Sequence, residues 1–296
     1  MFDLRYYVAS LTAVFLALVI GILVGIGISG RGFVTDAERT NFNNRLAALD
    51  EQLREEELRA DELERRQDAA QEFVESAYPV LVAGRLEDAD VAVLVIGSYD
   101  ASVDAVQRAI EEADCHVARI RAVPVPVPMD DVQSALSSRS AFGGYVGEDE
   151  AGNLGRDLGR ELVDGGDTPL WDLLTPDLVG QREGSSSSEA DGVVVVRQAE
   201  PQQQETAQFL AGLYRGLASA GVPAVGVEGT RVDEPAIPVF SRAGLSTVDG
   251  IDTPVGRLAL ILLLAGSERG DFGTRDTATD GILPTLEPLT ADPASG

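Results

Sequence analysis

The longest apolar run of the chain lies near its start. Residues 8–28 are 21 consecutive positions without a charged side chain, and thirteen of them are Val, Ile, Leu or Phe. As an α-helix this run is about 31 Å long, which matches the hydrocarbon thickness of a bilayer. The pattern predicts a transmembrane anchor after a short tail at residues 1–7. A cleaved signal peptide, cut near Gly27 or Ser29, is the alternative, although its apolar core is usually shorter, about 7–15 residues.

Small residues recur at every fourth position of the same run. This spacing places them on one helix face, where they let two backbones approach closely in lipid. It favours self-association of the anchor, and the alternative is that Ala and Gly are simply common in membrane helices. The stripe consists of Ala9, Ala13, Ala17, Gly21, Gly25 and Ser29.

Residues 36–77 are polar overall and carry apolar residues at alternating spacings of four and three. That period predicts a coiled-coil helix, and its position after a self-pairing anchor favours parallel pairing of two chains. A single helix lying on its own domain is the alternative. Pro79 is expected to end the helix. The seam begins at Phe42, Leu46, Leu49 and Leu53, is interrupted at Glu56 and Gln67, includes Leu63, and continues through Ala60, Ala70, Val74 and Ala77.

Residues 80–265 alternate between short apolar runs and amphipathic segments. This alternation predicts an α/β domain with a mostly parallel sheet and helices on both faces. Residues 181–190, which contain four consecutive serines, are expected to form a flexible loop, and residues 266–296 a disordered tail. The predicted strands are 91–96, 116–123, 193–196 and 222–227, with a short edge strand at 245–248; the predicted helices are 101–113, 130–138, 155–163, 202–220 and 255–265.

The charge of the chain excludes one class of partner. Its net charge is −26, and all 23 basic residues are Arg. Nucleic-acid binding needs clustered cations, so we expect no nucleic-acid partner. The Arg residues that flank the anchor favour, by a small margin, a cytoplasmic domain, but long domains are translocated regardless of charge.

Candidate chemistry is sparse. The loop after the first strand, 97–100, has no phosphate-binding glycine pattern, so Ser98 or Asp100 is interpreted as a helix cap. Acidic pairs lie in polar loops, and a single His gives little support to a catalytic triad. We therefore expect no enzymatic activity and no bound cofactor.

Three residues form the one candidate set for a soft metal. Cys115, His116 and Met129 offer the sulfur and imidazole ligands that copper(I) accepts. If residues 115 and 116 begin a strand, however, their side chains point to opposite faces and do not share one ion easily. A buried Cys beside a surface His is the competing interpretation.

Two separate segments carry a resemblance to a known family. Residues 1–27, MFDLRYYVASLTAVFLALVIGILVGIG, and 245–264, LSTVDGIDTPVGRLALILLL, resemble the start and the C-terminal motif of the actinobacterial copper-transporter family, which is related to the mycobacterial outer-membrane copper-transport protein. The resemblance implies a role in copper homeostasis or efflux and an extracytoplasmic domain. It implies no ligand or catalytic residues.

Two hypotheses of different class follow. The first is a single-pass cell-membrane protein that supports copper export, with copper as the transported or sensed ion. One helix per chain does not enclose a channel unless chains associate, so this hypothesis needs a homodimer or higher oligomer. The second is a non-catalytic envelope or division scaffold whose α/β domain binds a protein partner.

Overall fold

The N-terminal apolar run forms a single helix, α1 (Leu4–Ser29). Within it, Tyr7–Gly27 is long and apolar enough to cross a membrane, with a mean hydropathy of 2.6, and none of it is buried. No other helix among the described residues passes that test; the apolar helix at Pro254–Leu264 is too short.

The computed structural model describes residues 4–29, 36–179, 181–184, 188–198, 202, 204–232 and 234–287. The start of the predicted N-terminal tail and the end of the predicted C-terminal tail, residues 1–3 and 288–296, lie outside these ranges. The chain divides into two compact units, Met1–Ala69 and Ala70–Gly296.

The second helix, α2 (Asp36–Val82), extends past the proline that was expected to end it. Pro79 lacks an N–H and removes one backbone hydrogen bond. Tyr78 and Val82 are nevertheless buried in the domain core, and the Ala83 N–H donates to the Pro79 carbonyl at 3.1 Å. The helix ends instead before Gly84, whose φ of +68° suits a glycine.

Seven strands form one sheet in the order β3-β2-β1-β4-β5-β6-β7. All neighbouring pairs are parallel except β2–β3. This confirms the predicted mostly parallel sheet. The strands are β1 (Asp90–Gly97), β2 (His116–Val123), β3 (Gln181–Gly184), β4 (Gly192–Gln198), β5 (Ala224–Val227), β6 (Ser246–Val248) and β7 (Asp271–Phe272).

Helices cover both faces of the sheet, as predicted. The helices in chain order are α3 (Ala101–Glu112), α4 (Met129–Ser137), α5 (Ala151–Asp164), α6 (Pro169–Leu178), α7 (Gln204–Ala218), α8 (Ile237–Ala243) and α9 (Pro254–Leu264), with short 3₁₀ turns at Ser140–Tyr145 and Glu148–Glu150. α3, α9 and the end of α2 pack on one face, and α4 to α8 pack on the other.

Both faces of the central strand β1 are covered, which explains why its sequence is apolar throughout. Val93 and Val95 belong to the core on the α9 side, whereas Leu94 and Ile96 belong to the core on the α5 side. A strand that is covered on both faces needs apolar residues at every position, because alternate side chains enter different cores.

Three expectations for the domain need correction. Residues 181–184 form β3 instead of part of a loop, because they pair antiparallel with β2. β6 is not an edge strand, because β5 and β7 flank it. The predicted disordered tail begins too early, since β7 pairs with β6 and Phe272 also bridges to Gly281. All three errors concern pairing partners that are distant in sequence, which local composition does not reveal.

Candidate functional site

Polar side chains gather where β5, β6 and β7 end. Glu228 directly follows β5 and Asp249 directly follows β6, and both carboxylates are buried. The carboxyl ends of parallel strands are where α/β domains usually place their binding sites. The carboxyl-edge cluster consists of Glu228, Thr230, Asp249, Asp252 and Arg275.

The Glu228 carboxylate holds two later segments in place. One oxygen accepts from the backbone N–H groups of Ala236 and Ile237, at 2.7 and 3.3 Å, where α8 begins. The other oxygen pairs with the Arg275 guanidinium at 3.0 Å. Burial raises the pKa of Glu228, and these hydrogen bonds and the Arg275 charge oppose that rise.

Asp249 binds the backbone that follows β7. Its two oxygens accept from the N–H groups of Thr274 and Arg275, at 2.8 and 3.0 Å. A Cβ at Gly273 would lie 2.1 Å from the carboxyl carbon of Asp249, and the φ of Gly273 is +147°. Only glycine lets the chain pass this close to the carboxylate.

The segment between Asp249 and α9 makes further hydrogen bonds at this edge of the sheet. Asp252 accepts from both the N–H and the hydroxyl of Thr230, at 2.7 and 2.6 Å. Thr253 caps α9 through a bond from the Gly256 N–H at 3.1 Å, and Pro254 suits the first helical position. A Cβ at Gly256 would lie 2.2 Å from the Gly250 carbonyl oxygen.

These contacts give the motif at residues 245–264 an architectural role. Asp249 binds the backbone N–H groups of Thr274 and Arg275. Asp252 binds the N–H and hydroxyl of Thr230, so the motif joins the loops after β5 and β7 to the start of α9. Among the residues that the structure describes, no group of three or more His, Cys, Asp or Glu is placed to hold a metal ion. The contacts described at this edge hold its loops together.

The three predicted soft-metal ligands are not brought together. Cys115 is buried in the core on the α3 and α9 side, and Met129 is buried in the core on the opposite face of the sheet. His116 begins β2 and is exposed. The sheet itself separates the two sulfur atoms, so they do not bind one ion in this fold.

The thiol of Cys115 is also poorly suited to metal binding. It donates to the Ala89 carbonyl at 3.1 Å. Burial raises its pKa to about 11, so the thiol stays protonated at neutral pH. Metal ions bind the thiolate, which makes this environment unfavourable for copper(I).

The first loop after β1 has the capping role that its sequence predicts. The Asp100 side chain accepts from the Ser102 N–H at 2.8 Å and caps α3. A Cβ at Gly229 would lie 3.2 Å from the Ser102 hydroxyl, so this cap lies beside the carboxyl-edge cluster.

The predicted helix-pairing surfaces are open to solvent. A Cβ at Gly21 or Gly25 meets nothing within 4 Å. Ser29 is the last residue of α1. The seam residues of α2 are 45 to 65 % exposed, which leaves a row of large apolar side chains without cover; these residues are Phe42, Leu46, Leu49, Leu53 and Leu63. Exposed apolar rows of this kind mark interaction surfaces.

Sequence reasoning missed one closely packed pair of helices. A Cβ at Gly212 of α7 would lie 2.0 Å from the Gly152 carbonyl oxygen, and one at Gly216 would lie 2.1 Å from that of Arg156. The backbones of α5 and α7 are therefore in direct contact. The four-residue spacing of Gly155 and Gly159, and of Gly212 and Gly216, was the available signal.

Comparison with known proteins gives one family. Residues 1–283 match the model of a family described as copper transport outer membrane protein, MctB. No curated protein matches the chain. The family match includes both segments on which the resemblance was based, together with α2 and the whole α/β domain.

Proposed function

Because this match spans nearly the whole chain, which therefore belongs to the MctB family, we propose that the protein is a membrane-anchored component of copper transport in the cell envelope. The observation that carries the anchoring is the complete exposure of an apolar span, Tyr7–Gly27. In water this span would leave large side chains uncovered. Leu11 and Phe15, for example, are 69 and 65 % exposed.

The energetics support insertion. The thirteen Val, Ile, Leu and Phe residues at 8–28 favour the membrane by about 4–8 kcal/mol at roughly 0.3–0.6 kcal/mol each. A polar face, which an interfacial helix would need, is missing between Val8 and Gly27. We infer a single-pass anchor and an extracytoplasmic α/β domain, the second inference resting on the family's description as outer-membrane transport proteins.

Self-association is the second part of the proposal. The stripe of small residues on α1 lets the backbones of two helices approach closely in lipid. The seam of α2 offers large apolar side chains at heptad spacing. Both surfaces are open in the single chain. We propose that two or more chains pair through α1 and through α2.

The domain acts in this proposal by binding a protein partner, without holding copper itself. The observation that favours this scaffold role is the separation of Cys115 and Met129 by the sheet. The raised pKa of the thiol supports the same conclusion. Copper is then the cargo of the assembly that the protein organises.

A complementation experiment tests the anchored role in copper homeostasis. A deletion strain would receive the full chain, a chain lacking residues 1–29, or a chain whose α1 is replaced by an unrelated single-span helix. We expect the full chain to restore growth at raised copper and the chain without α1 to fail. Equal growth of the deletion and parent strains across copper concentrations would contradict the copper role.

A measurement of copper(I) binding distinguishes a scaffold from a protein that binds copper itself. The full chain in detergent and its Cys115→Ser and Met129→Leu variants would be dialysed against a buffered copper(I) solution. We expect the same copper content in all three proteins. Stoichiometric copper in the native chain that either variant loses would show direct binding and would contradict the scaffold role.

A further inference from the structure

A cavity of about 340 Å³ lies at the amino ends of β5 and β6, at the other end of these strands from the carboxyl-edge cluster. Its apolar lining comes from Val222 and Pro223 in the segment before β5 and from Leu263 of α9. The volume falls in the range of small-molecule sites, about 300–1,000 Å³. The cavity is independent of α1, α2 and the proposed role in copper transport.

A buried hydroxyl group marks one side of this cavity. Ser246 lines it and is only 5 % exposed. In β6 the side chain of Ser246 points to the same face as Val248, which packs in the core on the α9 side. An apolar residue is expected at such a position, yet within the described residues this hydroxyl makes no hydrogen bond. The hydroxyl is therefore available to a molecule bound in the cavity.

The rim of the cavity carries one charge of each sign. Glu268 and Arg269 are adjacent and exposed, and both line the cavity. Neither forms an ion pair with any residue that the structure describes. They follow the end of α9, where the Gly266 and Ser267 N–H groups donate to the carbonyls of Leu263 and Leu262, each at 3.1 Å. This tight cap fixes the position from which the two charged residues extend.

We propose that this cavity binds a zwitterionic aliphatic α-amino acid. The aliphatic side chain lies against Val222 and Leu263, the carboxylate pairs with Arg269, and the ammonium group pairs with Glu268. Ser246 hydrogen-bonds to a polar atom of the ligand. A ligand without net charge also suits a chain of net charge −26, which repels anions.

Equilibrium dialysis of the full chain in lipid nanodiscs against radiolabelled L-leucine tests the proposal. We expect saturable binding at one site per chain, with empty nanodiscs as the blank. Isocaproate lacks the ammonium group and isoamylamine lacks the carboxylate, so each should compete at least tenfold less well than unlabelled leucine. No saturable binding, or equal competition by isocaproate, would overturn the proposal.

Variants place the binding in this cavity. Arg269→Gln removes the partner of the carboxylate and should weaken leucine binding at least tenfold. Ser246→Val fills the cavity and should weaken binding by a similar factor without lowering the unfolding temperature. Arg139→Gln, at an exposed arginine outside the cavity, should bind as the native chain does. Unchanged binding in both cavity variants would show that leucine binds elsewhere, and the proposal would fail.

Discussion

The glycines of α1 and those of the α5–α7 pair have the same four-residue spacing, but their surroundings differ completely. At Gly21 and Gly25 of α1 an added Cβ meets open space. At Gly155 of α5 it would lie 2.1 Å from the Phe209 carbonyl oxygen, and at Gly159 it would lie 2.5 Å from that of Leu213. The spacing therefore creates a groove in both cases, and only one groove is filled within the chain.

The rest of each helix explains the difference. α5 is amphipathic, with Leu154, Leu158 and Leu162 buried in the same core that receives α7. Its glycines are thus brought against a helix that the fold already holds nearby. α1 has no polar face between Val8 and Gly27, and no atom of the described residues lies within 4 Å of a Cβ at Gly21 or Gly25. Under the proposed anchoring, a partner for this groove would be a second helix in the membrane.

The largest effect is expected where the groove is filled. Gly212→Ala puts a Cβ 2.0 Å from the Gly152 carbonyl oxygen, so α5 and α7 must separate. We expect the free energy of unfolding of the domain to fall by about 3 kcal/mol, the upper part of the range for overpacking. Urea unfolding of the full chain in detergent, followed by Trp171 fluorescence, measures it.

Gly144→Ala is the matched control, because its Cβ meets nothing within 4 Å. It should change the free energy of unfolding by less than about 0.5 kcal/mol. If Gly212→Ala and Gly144→Ala unfold at the same urea concentration, the close contact of α5 and α7 is not important for stability.

The open groove should show the opposite behaviour. Gly21→Ile should leave the unfolding of the domain unchanged and weaken chain pairing in the membrane by about 1–2 kcal/mol, or roughly tenfold. Sedimentation equilibrium in detergent measures the pairing. Leu23→Ile, a change of shape at constant volume, serves as the control and should pair normally. Equal pairing of the Gly21→Ile and native chains would count against the α1 interface.

A smaller effect is expected from the seam of α2. Leu49→Ala and Leu53→Ala together shorten two exposed side chains that are predicted to meet a second chain. We expect weaker pairing by about 1 kcal/mol and no loss of domain stability, because neither residue touches the domain core. Leu58→Ala, at an exposed leucine outside the seam, is the control. An identical loss in the control would show that the seam is not specific.

The smallest effect is expected in the alkylation rate of the Cys115 thiol. This rate shows which of the two units of the chain a substitution disturbs. Because burial raises the pKa of Cys115 to about 11, alkylation at pH 7.5 should be slow and should quicken about tenfold per pH unit. The folded state holds this proton more tightly than the unfolded chain. Its contribution to stability is therefore complete below about pH 9 and is lost as the pH rises to about 11.

Gly212→Ala should speed this alkylation because it opens the domain more often, and Gly21→Ile should not. The rate of iodoacetamide labelling, followed by mass spectrometry, gives the comparison. Rapid labelling of the native chain at pH 7.5 would contradict the raised pKa.

The sequence predicts the central strands well. Residues 91–96 are apolar at every position, and the structure shows that both faces of β1 are covered. α6 was missed because Pro169 and Pro176 interrupt its pattern, although the first suits a helix start and the second lies near the helix end. α8 has only seven residues, too few for a clear period.

The carboxyl-edge cluster was not predictable in the same way. Glu228 and Arg275 are 47 residues apart, and only the strand order brings them together. A local signal did exist, since Glu228 and Asp249 each directly follow a buried strand. The acidic residues are visible in the sequence. Their binding to backbone N–H groups, instead of to an ion, is visible only in the structure.

The two border strands of the sheet limit how neighbouring domains interact. β7 has two residues and β3 has four, and β3 is antiparallel to its one neighbour in the described sheet, β2. Short borders offer few free backbone groups, so they discourage sheet-to-sheet joining between molecules. Proteins tethered side by side in one membrane are crowded, and crowding would promote such joining into fibres. In the proposed anchored arrangement, borders this short would disfavour sheet-to-sheet joining between neighbouring domains.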